Sequence, residues 1–370
     1  MNRLTNEGIW IESDLPLSDS SLWSVPLRLV WAVSEGQTTD LGTVSPLLAS
    51  NLEVIRDIYA AWIDGGRQIP LAFEISPHPA APCEGVSLFF SGGVDSFYSL
   101  IKHRDEVENL ILVNGFNEPL TDARTFALGN TQASDAARLF GKRLITAKTN
   151  LRWERPSLPP ITNLRWEKPS VPGGWFMFHG AALAAIAHAL APIHSKVYIA
   201  SSYSYANLDP WGSHPLLDPL WSTESVQIVH DGGETRMAKL RVVVQYPEVS
   251  SLLRVCTEYQ GDFNCGLCEK CIRTMLGLRA LGVARCAAFP DTLTPELVRR
   301  QKLNSVTVLQ WRELLEAGLS PSLQTAVRSA IHSYEAGLPP RNGNLRREVL
   351  RLLVAARHSA NALMSAAYCP

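Results

Sequence analysis

The middle of this chain predicts an α/β fold built on a doubly wound parallel sheet, and three observations carry that reading. Short apolar runs recur from residue 86 onward, stretches with helical apolar spacing separate them, and one run passes through two glycines directly into a helix. Continuous rather than alternating apolar runs mark strands buried on both faces, as in a parallel sheet covered by helices. Length and composition agree. A chain of 370 residues exceeds one compact core and implies two domains or large extensions, while 46% hydrophobic and 19% charged residues is ordinary globular composition.

Residues 1–85 read as an α+β extension. Ser24–Ser34 and Gln68–Ile75, rich in Val, Leu, Ile and aromatics, read as strands. Between them, Pro46–Ile63 places Leu47, Leu48, Leu52, Ile55, Ile58 and Tyr59 at helical spacing, and Pro77, Pro79 and Pro82 then mark a linker. Residues 86–285 form the central domain. Its strands fall at Val86–Phe90, Leu110–Val113, Arg143–Thr146 and Val197–Ala200, with helices at Asp95–His103, Ala123–Phe140 and Phe176–Leu190. Thr149–Ile161 and Thr162–Gly174 repeat one another at nine of thirteen positions and hold five prolines, which excludes a helix interior or a central strand. A duplicated surface loop is expected, with a substrate lid as one role. Residues 286–370 are helical in pattern, most clearly at Leu345–Leu363.

A formal net charge of −1 supplies no global attraction to nucleic acid or to an anionic membrane. Met1–Leu17 shows no charged-then-apolar leader pattern, and the longest apolar run, Gly180–Ile193, is 14 residues against the roughly 20 that a membrane span needs. A cytoplasmic protein with neither membrane nor nucleic-acid partner is expected. Seven cysteines, an odd number, then argue for metal binding or catalysis rather than a disulfide framework.

The phosphate-binding candidate is Ser91-Gly92-Gly93-Val94-Asp95-Ser96, preceded by the apolar Val86–Phe90. Glycines let backbone N–H groups approach an anion, and the helix that follows adds a partial positive charge. Ser91 and Ser96 can donate to phosphate oxygens. Asp95 would be repelled by phosphate, so its expected work is through Mg²⁺. A plain capped strand–turn–helix is the alternative. The string SGGVDS resembles the signature of the PP-loop ATP pyrophosphatases and lacks the lysine of a Walker A loop. The resemblance implies ATP binding, with adenine against the first two strands near Phe89, Phe90, Val113 and Asn114.

The second cluster is Cys256, Cys265, Cys268 and Cys271, spaced C-x8-C-x2-C-x2-C. Four soft thiolates at this density suit a closed tetrahedral Zn²⁺ site, and Lys270 and Arg273 can offset its charge. A [4Fe–4S] cluster is the competitor. A phosphate loop followed by these cysteines resembles the 7-cyano-7-deazaguanine synthase family over roughly residues 86–285. Val171–Ala182 is similar to the family segment that opens a helix beside the nucleotide, placing His179 and Gly180 there, although Gly173 and Gly174 stand where the family carries Arg-Asn. The terminal regions and the stretch after Ala200 also depart from the family.

That stretch crowds Asp209, Trp211, Ser213, His214, Asp218 and Trp221 just beyond a strand end, where ligands of such sheets bind. Asp209, Trp211, His214, Asp218 and Trp221 are the substrate-reading candidates, against a loop whose indoles simply pack beneath it. Arg236 and Lys239 can neutralise phosphate in the transition state, against a reading as exposed helix charges. The expected activity is adenylation of a carboxylate with release of pyrophosphate, catalysed by Asp95, Ser96, Arg236 and Lys239. An amine or ammonia then gives an amide or nitrile. By resemblance the acid is like 7-carboxy-7-deazaguanine. Two alternatives stand open: transfer to a protein or peptide in an antiviral defence system, docked on the terminal regions, and a tRNA-modifying enzyme. A homodimer is equally open.

Overall fold

The computed structural model describes residues 2–6, 8–63, 65–78, 81–152, 174–256, 258 and 264–337. It is an α/β structure with a seven-stranded, mostly parallel central sheet flanked by helices, in keeping with a Rossmann-like fold. The chain opens with β1 (Asn2–Asn6) and β2 (Ile9–Ser13), then α1 (Val25–Glu35), β3 (Thr39–Val44), α2 (Pro46–Trp62) and β4 (Leu71–Ile75). The central region follows as β5 (Val86–Phe89), α3 (Val94–Lys102), β6 (Asn109–Asn114), α4 (Ala123–Phe140), β7 (Arg143–Thr149), α5 (Trp175–Ala189), β8 (Lys196–Ala200) and β9 (Gln227–Asp231). After it come α6 (Arg236–Val243), α7 (Pro247–Ser251), α8 (Glu269–Ala280), α9 (Pro295–Arg299), α10 (Thr307–Leu315) and α11 (Pro321–Ala336).

The sheet order is β1-β2-β7-β6-β5-β8-β9, with β7 through β9 parallel and the β1–β2 hairpin joined antiparallel to β7. The chain winds outward from β5 through β6 to β7, then returns to the other flank of β5 with β8 and β9. That reversal creates a crevice at the carboxyl ends of β5 and β8, where ligands of open α/β sheets bind. One face of the sheet buries α1, α2 and α5; the other buries α3, α4, α6 and α8, with α10 and α11 stacked outside.

The N-terminal region differs from its sequence reading in two respects. Ser24–Ser34 is not a strand but most of α1. Eight of the eleven α1 residues are buried, so apolar side chains occupy nearly every position and mask the helical period. Pro26 in its first turn and Gly36 at φ 67° beyond its end are the helix signals. Trp31 of α1 stacks on Phe178 of α5 with centroids 5.2 Å apart. Residues 1–85 also supply β1 and β2 to the central sheet, while β3 and β4 pair separately as a parallel ribbon. The apolar stripe of α2 (Leu48, Leu52, Ile55, Tyr59) is buried in the chain's own core. β9 was not anticipated. Most of the duplicated loop (153–173) and the Leu345–Leu363 helix lie outside the described residues. Among the described residues, no helix is long and apolar enough to cross a membrane.

Candidate functional site

A cavity of about 280 Å³ opens at the crevice. Its floor is the loop between β5 and α3. Gly92 adopts φ 75°, and a Cβ there would collide with the Gln132 amide, so the turn requires glycine. Gly93 begins α3 in extended backbone with no side-chain cap, leaving the first-turn amides of the helix without a side-chain partner. Ser91, Gly93, Asp95 and Ser96 line the cavity. Ser91 Oγ lies 3.5 Å from Ser96 Oγ, and Ser96 donates to Gly93 O at 3.0 Å.

Cations gather around this loop. Arg236 Nη1 donates to Asp95 Oδ2 at 2.6 Å, and Lys239 Nζ donates to Asp95 Oδ1 at 3.0 Å and to Ser201 O at 2.6 Å. Burial alone would push the Asp95 carboxyl up, but the Arg236 and Lys239 charges outweigh it and hold it well below the usual carboxylate range. Arg236 lines the cavity, and its Nε is buried without a protein partner, a donor left for an incoming acceptor. Lys239, 1% exposed, sits behind Asp95 rather than on the cavity wall. These are not the exposed helix charges that the alternative reading expected. Both Asp95 oxygens accept from cations, and each keeps a second lone pair for a further partner.

Two further cations on the wall escaped the sequence reading as site residues. Arg254 follows α7, its backbone N–H donates to Gly92 O at 2.8 Å, and its guanidinium lies 3.8 Å from Glu118 Oε2. Burial raises the Glu118 pKa, a rise that Arg254 opposes. Lys270 opens onto the cavity although protein surrounds it; burial, then Arg273 and Arg236, lower its pKa. Arg273 itself pairs with Glu269 at 2.8 Å, and Trp311 Nε1 holds the same carboxylate at 2.7 Å. The lining also includes the apolar Phe90, Val113, Phe116 and Trp175.

The other expected site residues divide sharply. Val94 and Asn114 are fully buried and off the lining, and the Asn114 amide has no protein partner. His179 lines the cavity, whereas Gly180 does not: a Cβ there would collide with the Gly212 carbonyl, so this glycine serves the packing of α5 against the 211–213 loop. Of the five substrate candidates, none lines the cavity. Trp211 stacks on Phe176 at 4.8 Å and meets His179 edge-on at 5.4 Å, and Asp209 sits in the same loop near Tyr203. His214 packs on Trp62 at 4.9 Å, and Trp221 is completely buried beside Tyr59. The reading of packed indoles holds for Trp221. Ser213, grouped with these residues but not chosen, does reach the wall.

The four cysteines converge as their spacing requires. One ligand atom from each of Cys256, Cys265, Cys268 and Cys271 lies within 4.8 Å of all the others, and Cys265 Sγ is 3.9 Å from Cys271 Sγ. A tetrahedron with Zn–S of about 2.3 Å needs sulfurs about 3.8 Å apart, so the cluster fits zinc. Gly266, at φ 67°, makes the turn that aims the Leu267 and Cys268 amides at Cys265 Sγ, at 3.4 and 3.3 Å. Such N–H···S bonds stabilise a thiolate. Cys256 also belongs to the cavity wall, so the cluster abuts the cavity that the β5–α3 loop lines.

No family model, curated protein or solved structure matches the chain. The functional reading rests on the site.

Proposed function

We propose that this chain is an adenylating enzyme of the PP-loop pyrophosphatase type, on an adenine nucleotide α-hydrolase-like variant of its α/β fold. The observation that carries the proposal is one cavity lined by Ser91, Gly93, Asp95 and Ser96 of the SGGVDS loop, by Arg236, Arg254 and Lys270, and by apolar residues such as Phe90 and Val113. A polyanion attached to a flat base fits that polarity: phosphates toward Ser91, Gly93, Ser96 and the three cations, adenine toward Phe90 and Val113.

In the proposed reaction, a carboxylate oxygen of the acid attacks the α-phosphorus of ATP. The bond from that phosphorus to the bridging oxygen breaks, and pyrophosphate leaves with the electron pair. Arg236 and Lys270 offset the charge that develops on the phosphoryl oxygens, the task for which preorganised cations in a water-poor site are most effective. Asp95 and Lys239 hold Arg236 in place. An amine then attacks the acyl carbon, releasing AMP and leaving an amide. Zinc, with four thiolates and no open position, would fix the Lys270 wall and supply no step. The acid is taken, from the resemblance of the motifs, to be like 7-carboxy-7-deazaguanine. Incubating the protein with ATP, ammonium and that acid tests the reading: acid-dependent AMP and pyrophosphate support it, and ADP as the nucleotide product rejects it.

A further inference from the structure

The connection between β8 and β9 carries a chain of hydrogen bonds that ends at the cavity wall. Asp218 has no solvent exposure. Its carboxylate accepts from the Ser213 hydroxyl at 2.7 Å, from His230 Nδ1–H at 2.7 Å and from the His214 backbone N–H at 3.3 Å. A carboxylate only accepts, so the single Ser213 proton is committed to it. Ser213 also lines the cavity, and its hydroxyl has no second proton to offer a ligand there.

His179 repeats this polarity beside it. Its Nδ1–H donates to Phe176 O at 2.9 Å, and burial pushes the ring's pKa down to about 4 despite the Asp218 charge. The imidazole is therefore neutral at pH 7, with Nε2 an acceptor. The tight approach of Gly180 to Gly212 and to the Ser213 backbone N–H fixes the two residues relative to each other. Both residues line the cavity, and the proton of each side chain is committed elsewhere.

We propose that Ser213, oriented by Asp218, and His179 form a donor-selective subsite on the β8 side of the cavity. Its ligand is a carboxylic acid whose ring edge carries N–H groups. An analogue offering a bare oxygen or nitrogen at that edge would meet acceptors alone, and a site built this way rejects it because its own polar groups are left unpaired. The assignment of this ligand as the acid substrate rests on the proposed function; the donor preference does not.

The test is equilibrium binding, by calorimetry on the full chain, of pyrrole-2-carboxylate and furan-2-carboxylate, acids that differ in one ring atom. Wild type is expected to favour the pyrrole by about tenfold or more. Asp218→Ala removes the oxygen that holds the Ser213 proton, freeing the hydroxyl to donate into the cavity, and is expected to abolish or reverse the preference. Because Asp218 is deeply buried, Ser213→Ala provides a milder second route: the preference should vanish while the melting temperature stays close to wild type. Equal binding of the two acids by wild type, binding of neither, or a preference unchanged in Ser213→Ala overturns the subsite. Turnover is not required, so absence of pyrophosphate release would sink the adenylation reading and leave this result standing.

Discussion

Lys239→Met separates the support of the site from its working surface. The side chains are similar in length, but the change removes the ammonium that bridges Asp95 Oδ1 and Ser201 O. Ser201 is 1% exposed, and a buried carbonyl stripped of its donor costs about 1–3 kcal/mol. Removing one partner from a buried ion pair costs about 3–5 kcal/mol. Asp95 keeps Arg236 and its side chain is 24% exposed, which puts the ion-pair loss at the low end. One ammonium makes both contacts, so the two costs overlap and the total is about 3–4 kcal/mol. Each kcal/mol moves Tm by about 2–4 °C in domains of roughly 150–250 residues and by less in longer chains, giving a drop of about 5–10 °C. Scanning calorimetry measures it. The double variant Asp95→Asn with Lys239→Met should lose less than the two single losses combined, because the stranded charge is gone. A Lys239→Met protein as stable as wild type, or strict additivity in the cycle, would refute the buried bridge.

Four further outcomes follow from the same geometry. Asp95 has a depressed pKa, so its contribution is fully present above about pH 4 and is lost as pH falls through the lower folded value; Asp95→Asn should flatten that part of the acid-side fall in Tm between about pH 5 and 2. Cys268→Ser, or chelation of the metal, should lower Tm sharply, and native mass spectrometry of the intact chain should find one zinc, whereas four irons with a brown chromophore would reject that metal. Gly92→Ala places a Cβ at φ 75° against Gln132 and should cost at least about 1 kcal/mol in urea unfolding while weakening ATP binding. Lys270→Met should weaken ATP binding about tenfold or more by calorimetry with little change in Tm, since the lysine opens onto the cavity.

The features legible in the sequence were those encoded within one element or one turn. β5, the glycine turn and α3 are contiguous, so their order announced a strand–turn–helix. Cys265, Cys268 and Cys271 span one turn and the start of α8, and their side-chain spacing needs almost no tertiary information. α2 was legible because one stripe is apolar and the other polar, whereas α1 is buried nearly all round and loses its period. β1 and β2 run only five residues each, too short to separate from loop by pattern, and their hairpin gains a role only where β2 pairs with β7. The site residues that were missed share a cause. Arg254 reaches the loop through the Gly92 carbonyl, more than 150 residues upstream in sequence, and nothing in Leu253-Arg254-Val255 marks it. Ser213 was passed over for its larger neighbours. Asp218, expected to read the substrate, does not line the cavity because it is enclosed by His230 of β9 and the Ser213 hydroxyl.

The central claim is that a carboxylate attacks the α-phosphorus of ATP at the SGGVDS loop. It is tested most directly by supplying the acid with both carboxyl oxygens labelled as ¹⁸O, together with ATP and ammonium, and weighing the nucleotide product. Attack at the α-phosphorus followed by amine capture leaves one acid oxygen on phosphorus, so the account predicts AMP carrying a single ¹⁸O and unlabelled pyrophosphate. Labelled inorganic phosphate formed with ADP, or AMP with no label, would contradict it.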